Sequence, residues 1–293
     1  MILEQVIFER AGGALALADG RATAELAIAG DVPTLLARLG VMKPLVVSGG
    51  GLARSGVEEE MARRGMPLVH FDGFAPNPTA EQVQAGLAMF RAEGCDGILS
   101  IGGGSAMDVA KGIKALGETD AHASFLERLT HPQPMAVPHV ALPTTAGTGS
   151  ESTHFATIYI GGKKYSVADE ALLPEAAILD PEELSTLPDA ERAATFLDAL
   201  CHSIESYWSR RATAESRNYA AQAIGLLAAN AAAYLRGDEA AASAVMVASN
   251  FAGRAINLTT TTAAHAMCYQ LTALYGLRHG HAAAVCLPAA WER

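Results

Sequence analysis

The sequence predicts two domains, an α/β domain with a parallel sheet over residues 1–185 and an all-α domain over residues 186–293. Three observations predict them. Short β-branched runs alternate with amphipathic helical stretches through the first half. After Pro188 the texture changes to long Ala-rich segments with few turn residues. The length of 293 residues, half of them hydrophobic and 18% charged, provides apolar material for two ordinary cores.

In the first half, PLVVSGGG reads as a strand running into a glycine turn, SGVEEEMARRG as a helix, and MPLVHFDG as a second strand. TAEQVQAGLAMFRAEG, DGILSIGGGS and AMDVAKGIKALG continue the alternation as helix, strand and helix. PHVALPTTAGTGSES supplies a further strand and a loop of small residues. FATIYIGGKKYSVAD reads as a hairpin turning at Gly161–Gly162, and EAAILDPEELSTLP as a last strand ending in a proline-bounded turn. The helical domain is then expected through ERAATFLDALCHSIESYWSRR, AESRNYAAQAIGLLAANAAAYLRG and DEAAASAVMVASNFAGRAINL.

A formal net charge of −10 argues against nucleic acid or an anionic membrane as the main partner, since neither is drawn to an acidic surface. The start of the chain carries acidic residues and no basic segment leading into an apolar run, so no secretory signal is expected. The most apolar later stretch, AASAVMVASNFAGRAINL, is interrupted by Asn250, Gly253 and Arg254, which suits a bundle helix better than a membrane span. The four cysteines, Cys95, Cys201, Cys268 and Cys286, form no C-x-x-C pair and are expected to be reduced, as in a cytoplasmic protein.

Four side chains are able to converge on one divalent metal: Asp198 and His202 of DALCHSIESYW, His265 of TTAAHAMCY and His279 of LRHGHAAAVCLP. Asp198 and His202 are four positions apart, so on a helix they share a face with Cβ atoms about 5–6 Å apart. Three imidazoles and a carboxylate suit Fe(II) or Zn(II) and leave a position open for a substrate oxygen. Singly, each histidine has a plainer reading as a hydrogen-bonded core residue. Together, a carboxylate and an imidazole on one face of an apolar helix demand compensation of charge. Cys201 lies between Asp198 and His202 and reads as a packing residue.

GILSIGGGSAMDVAKGI carries a strand, the glycines Gly102, Gly103 and Gly104, then Ser105 and a helix. Backbone N–H groups opening that helix favour a phosphate, so a pyrophosphate fits, although the spacing differs from G-x-G-x-x-G and such turns also serve tight packing. Asp108, expected on the helix's first turn, either meets a ribose or nicotinamide amide or complements the helix dipole. With the glycine turns in one domain and the four ligand candidates in the other, the site is expected in a cleft between them.

In that order, GGGSAMDVAKGI, ALPTTAGTGSE, AILDPEELSTLP, DALCHSIESYWS and HGHAAAVCLP resemble the successive signatures of the iron-containing, group III alcohol dehydrogenases, from about residue 40 onward. The resemblance implies a two-domain, NADH- or NADPH-dependent dehydrogenase with a metal-binding helical domain. It puts the metal, Fe(II) or Zn(II), on Asp198, His202, His265 and His279. It puts the dinucleotide on Asn77, Gly103, Gly104, Ser105, Asp108, Thr144, Thr145 and Lys164, with Gly49 standing where NAD-preferring members commonly carry an Asp. Gly50, Gly51 and Arg54 would then face a 2′-phosphate, so NADPH is expected to be accepted. Tyr269 replaces a histidine that many members use to relay a proton, and is a candidate catalytic donor together with His281.

The implied substrate is a small aldehyde or alcohol, and the implied assembly a homo-oligomer with no nucleic acid or membrane partner. Within the family, HAMCYQLTALYGLRHGHAAAVCLP looks most like the phosphonoacetaldehyde reductases, with Arg278, His281 and Lys163 as candidate phosphonate contacts. Family chains usually continue through several helices beyond the fourth ligand, whereas this sequence ends at Arg293, so a C-terminally short helical domain is expected. Two rivals are a lyase of the dehydroquinate synthase type and a truncated, non-catalytic nucleotide-binding paralogue.

Overall fold

The computed structural model describes residues 6–8, 31–117 and 124–291. The chain divides into two compact units, Met1–Pro143 with His154–Leu179, and Thr144–Thr153 with Asp180–Arg293. The division falls at 179/180, a few residues before the expected 185/186. The segment 144–153, expected in the first domain, belongs to the second because its glycines and polar side chains lie against helices of that unit.

The first unit contains, in chain order, β1 (Val6–Phe8), α1 (Val32–Arg38), β2 (Pro44–Ser48), α2 (Leu52–Ser55), α3 (Val57–Arg64), β3 (Val69–Phe71) and α4 (Ala80–Glu93). It continues with β4 (Gly97–Gly102), α5 (Gly104–Leu116), α6 (Phe125–Thr130), β5 (His139–Pro143), β6 (Phe155–Ile160), β7 (Lys163–Ala168) and β8 (Ala176–Ile178). Among the described residues six strands form one parallel sheet in the order β1-β8-β5-β4-β2-β3, and β6 and β7 form the hairpin around Gly161–Gly162.

Every residue of β2 and β5 is buried, which is why these strands read as continuous apolar runs. Leu45, Val47 and Ile98 pack on one face with Val83 and Leu87 of α4 and Val109 and Ile113 of α5. Val46, Leu99 and Ile101 pack on the other with Leu35 and Leu36 of α1, Leu52 of α2 and Met61 of α3. Four elements of this unit lay outside the sequence expectations: β1, α1, α2 and α6. For α1 a signal existed: Asp31 caps it by accepting from Thr34 N–H at 3.0 Å, with Pro33 in its first turn.

After β2 the chain moves outward to β3, while after β4 it moves to β5 on the other side, so the strand order reverses between β2 and β4. In open parallel sheets, ligands bind beyond the carboxyl ends of strands at such a reversal. Ser48 pairs with Ile101 across these strands, so the Gly49–Gly51 and Gly102–Gly104 turns both leave the sheet at that point.

The second unit is all-helical apart from short turns: α7 (Asp189–Trp208), α8 (Ala214–Leu235), α9 (Glu239–Leu258), α10 (Ala263–Tyr275) and α11 (His279–Trp291). Helix α7 is central, packing against α8, α9 and α11, while α10 packs on α11. Small residues make this possible: Cys201 of α7 shares a buried cluster with Ala264 and Cys268 of α10 and Ala282, Ala283 and Cys286 of α11. The stretch weighed as a membrane span is α9, and among the described residues no helix is long and apolar enough to cross a membrane.

Candidate metal and nucleotide sites

On α7 the spacing of Asp198, His202 and Glu205 puts three polar side chains one turn apart along one face of a largely apolar helix. All three are buried, and His265, on the first turn of α10, is 1% exposed beside them. The Nε2 atoms of three histidines face one carboxylate oxygen: His265 lies 3.3 Å, His279 3.8 Å and His202 3.9 Å from Asp198 Oδ1. Ligand atoms of Asp198, His202 and His265 all lie within 4.8 Å of one another. His279 opens α11 at the border of this group, its side chain 40% exposed.

These distances discriminate between two roles. Around a cation with bonds of about 2.0–2.2 Å, neighbouring ligand atoms sit roughly 3–3.6 Å apart. A hydrogen bond at 3.8–3.9 Å is not made, so the His202 and His279 separations suit groups around a shared cation better than direct bonds to the carboxylate.

The opposite ring nitrogens are also fixed. His202 Nδ1 faces the carbonyl oxygen of Gly147 at 3.3 Å, and His265 Nδ1 faces Glu205 Oε2. A proton donated from each Nδ1 to an oxygen leaves Nε2 with its lone pair toward Asp198, the tautomer that a metal-binding imidazole needs. The donor set therefore fits a divalent cation of the Fe(II) or Zn(II) kind.

The electrostatics agree. Burial alone would raise the Asp198 carboxyl, but the three imidazoles hold it well below the usual carboxylate range, so it is an anion. Burial pushes His202 down to about 4 against the pull of Asp198, leaving a neutral ring at neutral pH. Burial would also lower His265, yet its bonds to Asp198 and Glu205 raise it to about 9. Glu205, which burial would raise, is brought down to about 2 chiefly by the same His265 bond. Two buried carboxylates thus press for positive charge at one imidazole, a demand that a proton or a metal satisfies.

Glu205 was missed in the sequence, although its position seven residues after Asp198 on the same helix face was a legible signal. The Gly147 carbonyl was not legible, since its role depends on where the loop folds. That loop is tied down closely. Gly149 has φ of 60°, and a Cβ there would sit 2.5 Å from Gly253 Cα of α9. Asn250 of α9 donates to Glu151 Oε1 at 3.1 Å and Ser152 Oγ at 2.9 Å. Thr144 and Thr145 begin this loop, half-buried, in the same compact unit as the histidines.

Gly280 brings His279 to Asp198, since a Cβ at Gly280 would lie 1.9 Å from the Ala194 carbonyl oxygen and 2.8 Å from Asp198 Cβ. Tyr269 stacks on His279 with ring centroids 5.6 Å apart, and His281 is half-buried one residue past Gly280. Arg278 is exposed and pairs with Glu191 Oε1 at 2.5 Å. The four cysteines are free thiols and buried.

In the first unit, Gly103 occupies the N-cap of α5 in an extended conformation and no side chain caps that helix, so Gly104 and Ser105 open it with backbone donors. Asp108 lies beyond the first turn, contrary to expectation, and does not complement the helix terminus there. Instead burial raises its carboxyl to about 6, opposed by Lys111, by the Thr157 N–H of β6 and by Lys164 of β7. Tyr159, paired with Lys164 across the hairpin, donates its N–H to Pro78 O at 2.8 Å. That bond brings the 77–79 loop to the hairpin, with Asn77 exposed at φ of 61°, the one non-glycine residue of positive φ among those described. The structure therefore gathers Asn77, Asp108 and Lys164 around one hairpin. Gly49, at the end of β2, has nothing within 4 Å of where a Cβ would stand. Lys163 is exposed on β7.

Residues 24–181 match the iron-containing alcohol dehydrogenase family, and residues 192–292 match the C-terminal domain of the Fe-containing alcohol dehydrogenase family. The chain belongs to the iron-containing alcohol dehydrogenase family. It is 34% identical over 266 residues to the NAD-dependent methanol dehydrogenase of Bacillus methanolicus, covering 88% of this chain and 70% of that one. It is 38% identical over 263 residues to the 1,3-propanediol dehydrogenase of Klebsiella pneumoniae, covering 85% and 67%. Among solved structures, the sulfoacetaldehyde reductase of Bifidobacterium kashiwanohense in complex with NAD+ superposes with a TM-score of 0.80 at 29% identity, over 87% of this chain and 71% of that one. Membership makes this family member an iron-dependent oxidoreductase of the alcohol dehydrogenase and aldehyde reductase class, linked to NAD.

Proposed function

We propose that this family member reduces a small aldehyde to its alcohol with NADH or NADPH, using a divalent metal held by Asp198, His202, His265 and His279. One observation carries this reading: three imidazole Nε2 atoms face a single buried carboxylate oxygen at 3.3–3.9 Å, two of them with Nδ1 engaged by an oxygen on the far side.

When bound, the metal supplies Lewis-acid polarisation of a carbonyl and the dinucleotide supplies hydride. The chain's own part is placement. Asp198 provides the negative charge, and Glu205 and the Gly147 carbonyl keep His265 and His202 in the tautomer with Nε2 free. The open helix terminus at Gly103–Ser105 receives the pyrophosphate, with Asn77, Asp108, Lys164, Thr144 and Thr145 as further cofactor contacts. Tyr269 Oη is the proposed proton donor, because its ring lies against His279 at the half-exposed border of the cluster. His281 is the second candidate.

For the substrate we propose a two-carbon aldehyde bearing an anionic group, phosphonoacetaldehyde. The likeness to a sulfoacetaldehyde reductase supports this, since that protein's substrate joins an aldehyde to an anion in the same way. Arg278 and His281 flank His279 in sequence and offer the cations. The Arg278–Glu191 pair is exposed, and exposed pairs contribute only about 0–1 kcal/mol, so a phosphonate would compete with Glu191 for the guanidinium. The test is metal analysis of the purified protein together with NADPH and NADH oxidation against an aldehyde series including phosphonoacetaldehyde, acetaldehyde and propanal. The reading expects about one metal per chain and highest kcat/KM for phosphonoacetaldehyde. Metal-free protein, or none of the aldehydes reduced with either dinucleotide, overturns it.

A further inference from the structure

Helix α10 begins without a cap of its own: the Thr262 side chain makes no capping bond to the helix that follows. The cap comes from α7. Glu205 Oε1 accepts from Thr262 N–H at 2.9 Å, the Thr262 hydroxyl at 2.7 Å, Ala264 N–H at 3.1 Å and His265 N–H at 3.4 Å. Its other oxygen, Oε2, faces His265 Nδ1. Thr262 Oγ1 in turn accepts from the Trp208 indole at 2.9 Å. A fully buried carboxylate thus uses one oxygen to gather the orphan donors of a helix terminus and the other to orient an imidazole on that helix's first turn.

We propose that Glu205 is a positioning residue that makes the first turn of α10 part of the metal site, so that metal occupancy and the order of residues 262–266 rise and fall together. This rests on the metal reading above. The physical reason is that His265 has its main-chain N–H and its ring tied to the same carboxylate. A cation pulling on Nε2 therefore pulls through the ring on Glu205, and through Glu205 on the helix terminus. If the terminus frays, the ring loses its orientation and the cation loses a ligand.

The replacement Glu205→Gln separates the two duties. Its amide oxygen still accepts from the helix N–H groups, but its NH2 group opposes the Nδ1–H of His265, so the required tautomer is no longer supported. Outer-shell partners of this kind typically change metal affinity by about 10–100-fold.

The experiment titrates Zn(II), in competition with a chelator, into metal-stripped wild type, Glu205→Gln and Asp198→Ala, and follows amide hydrogen exchange at 262–266 with and without zinc. Wild type should bind zinc and show slowed exchange in that segment. Glu205→Gln should bind at least tenfold more weakly with unchanged far-ultraviolet circular dichroism, and zinc should slow its 262–266 exchange less even at saturation. Asp198→Ala should lose zinc while its 262–266 exchange stays that of zinc-free wild type. A loss of less than tenfold in Glu205→Gln, or wild-type exchange at 262–266 indifferent to zinc, overturns the proposal. The second measurement decides the matter even if Glu205→Gln does not fold. A wild type that binds no zinc or iron overturns the metal reading itself, which keeps the two failures distinct.

Discussion

Asp198 Oδ1 and His265 Nε2 lie 3.3 Å apart although 67 positions separate them in sequence. Neither belongs on the apolar face where it sits, and each makes the other tolerable: the carboxylate favours positive charge near the ring, and the ring favours the ionised carboxylate. Because α7 and α10 are joined through this pair, changes in helix packing should register at the site before they register in overall folding.

Gly280→Ala is the sharpest test of that packing. The new methyl would stand 1.9 Å from the Ala194 carbonyl oxygen, so α11 must move away from α7 and carry His279 with it. Overpacking of this kind costs about 1–3 kcal/mol, and each kcal/mol lowers Tm by roughly 2–4 °C in a chain of this size class. Zinc affinity should fall in parallel. Gly225→Ala on α8 is the control, since nothing lies within 4 Å of its Cβ position. There the same change should stabilise by about 0.5–1 kcal/mol. Calorimetry showing equal shifts for the two variants would contradict the packing described.

The pH dependence of stability should carry a contribution from Asp108. Burial raises its carboxyl from 3.8 to about 6, so the folded protein holds a proton that the unfolded chain releases. That contribution is fully present below the unfolded value and is lost as pH rises through about 6. Asp108→Asn is neutral throughout and lacks it. Urea midpoints compared between about pH 4.5 and 7 should therefore show wild type losing stability relative to Asp108→Asn as pH increases. A difference that stays flat across this range would show that the carboxyl is not raised.

Cofactor preference should respond to Gly49→Asp. A Cβ there meets no neighbour within 4 Å, and an unchanged Tm of the variant separates a change in preference from a folding effect. A carboxylate at the end of β2 would bond a ribose 2′-hydroxyl and repel a 2′-phosphate. Wild type is expected to turn over NADPH, and the variant to shift the NADPH-to-NADH ratio of kcat/KM toward NADH by about tenfold or more, for roughly 1.4 kcal/mol of discrimination. Strict NADH use by the wild type would remove the basis for this.

If a phosphonate meets Arg278 and His281, each alanine variant should lose selectively on phosphonoacetaldehyde. A charged hydrogen bond contributes about 1.5–3 kcal/mol, so the expected loss in kcat/KM is roughly ten- to a hundredfold on phosphonoacetaldehyde and small on propanal. Equal losses on both substrates would reduce the assignment to a generic aldehyde reductase.

Much of this was legible before any coordinates. The central strands β2, β4 and β5 announce themselves as short apolar runs because both faces are covered, and the hairpin by Gly161–Gly162. Asp198 and His202 are legible because the 3.6-residue period alone places them together. What was not legible depends on contacts distant in sequence. Residues 144–153 look like the loop after β5, and only the crossing of Gly149 on Gly253 and the bonds from Asn250 assign them to the helical unit. Asp108 was expected at a helix terminus, but it lies further along α5 because that helix starts at Gly104. Glu205 shares the helix face of Asp198, which its spacing shows, but its complete burial, at 0% exposed, is what sets it apart from a solvated helix glutamate, and that burial comes from α10.

The most direct test of the central claim is metal content and turnover measured together on wild type, Asp198→Ala and His265→Ala. The account predicts about one iron or zinc per wild-type chain with NAD(P)H-dependent aldehyde reduction. Both variants should lose metal and activity together, to less than about a tenth of wild type, because each removes a ligand and leaves its buried partner charge uncompensated. Either variant keeping full metal stoichiometry and the wild-type rate would contradict it.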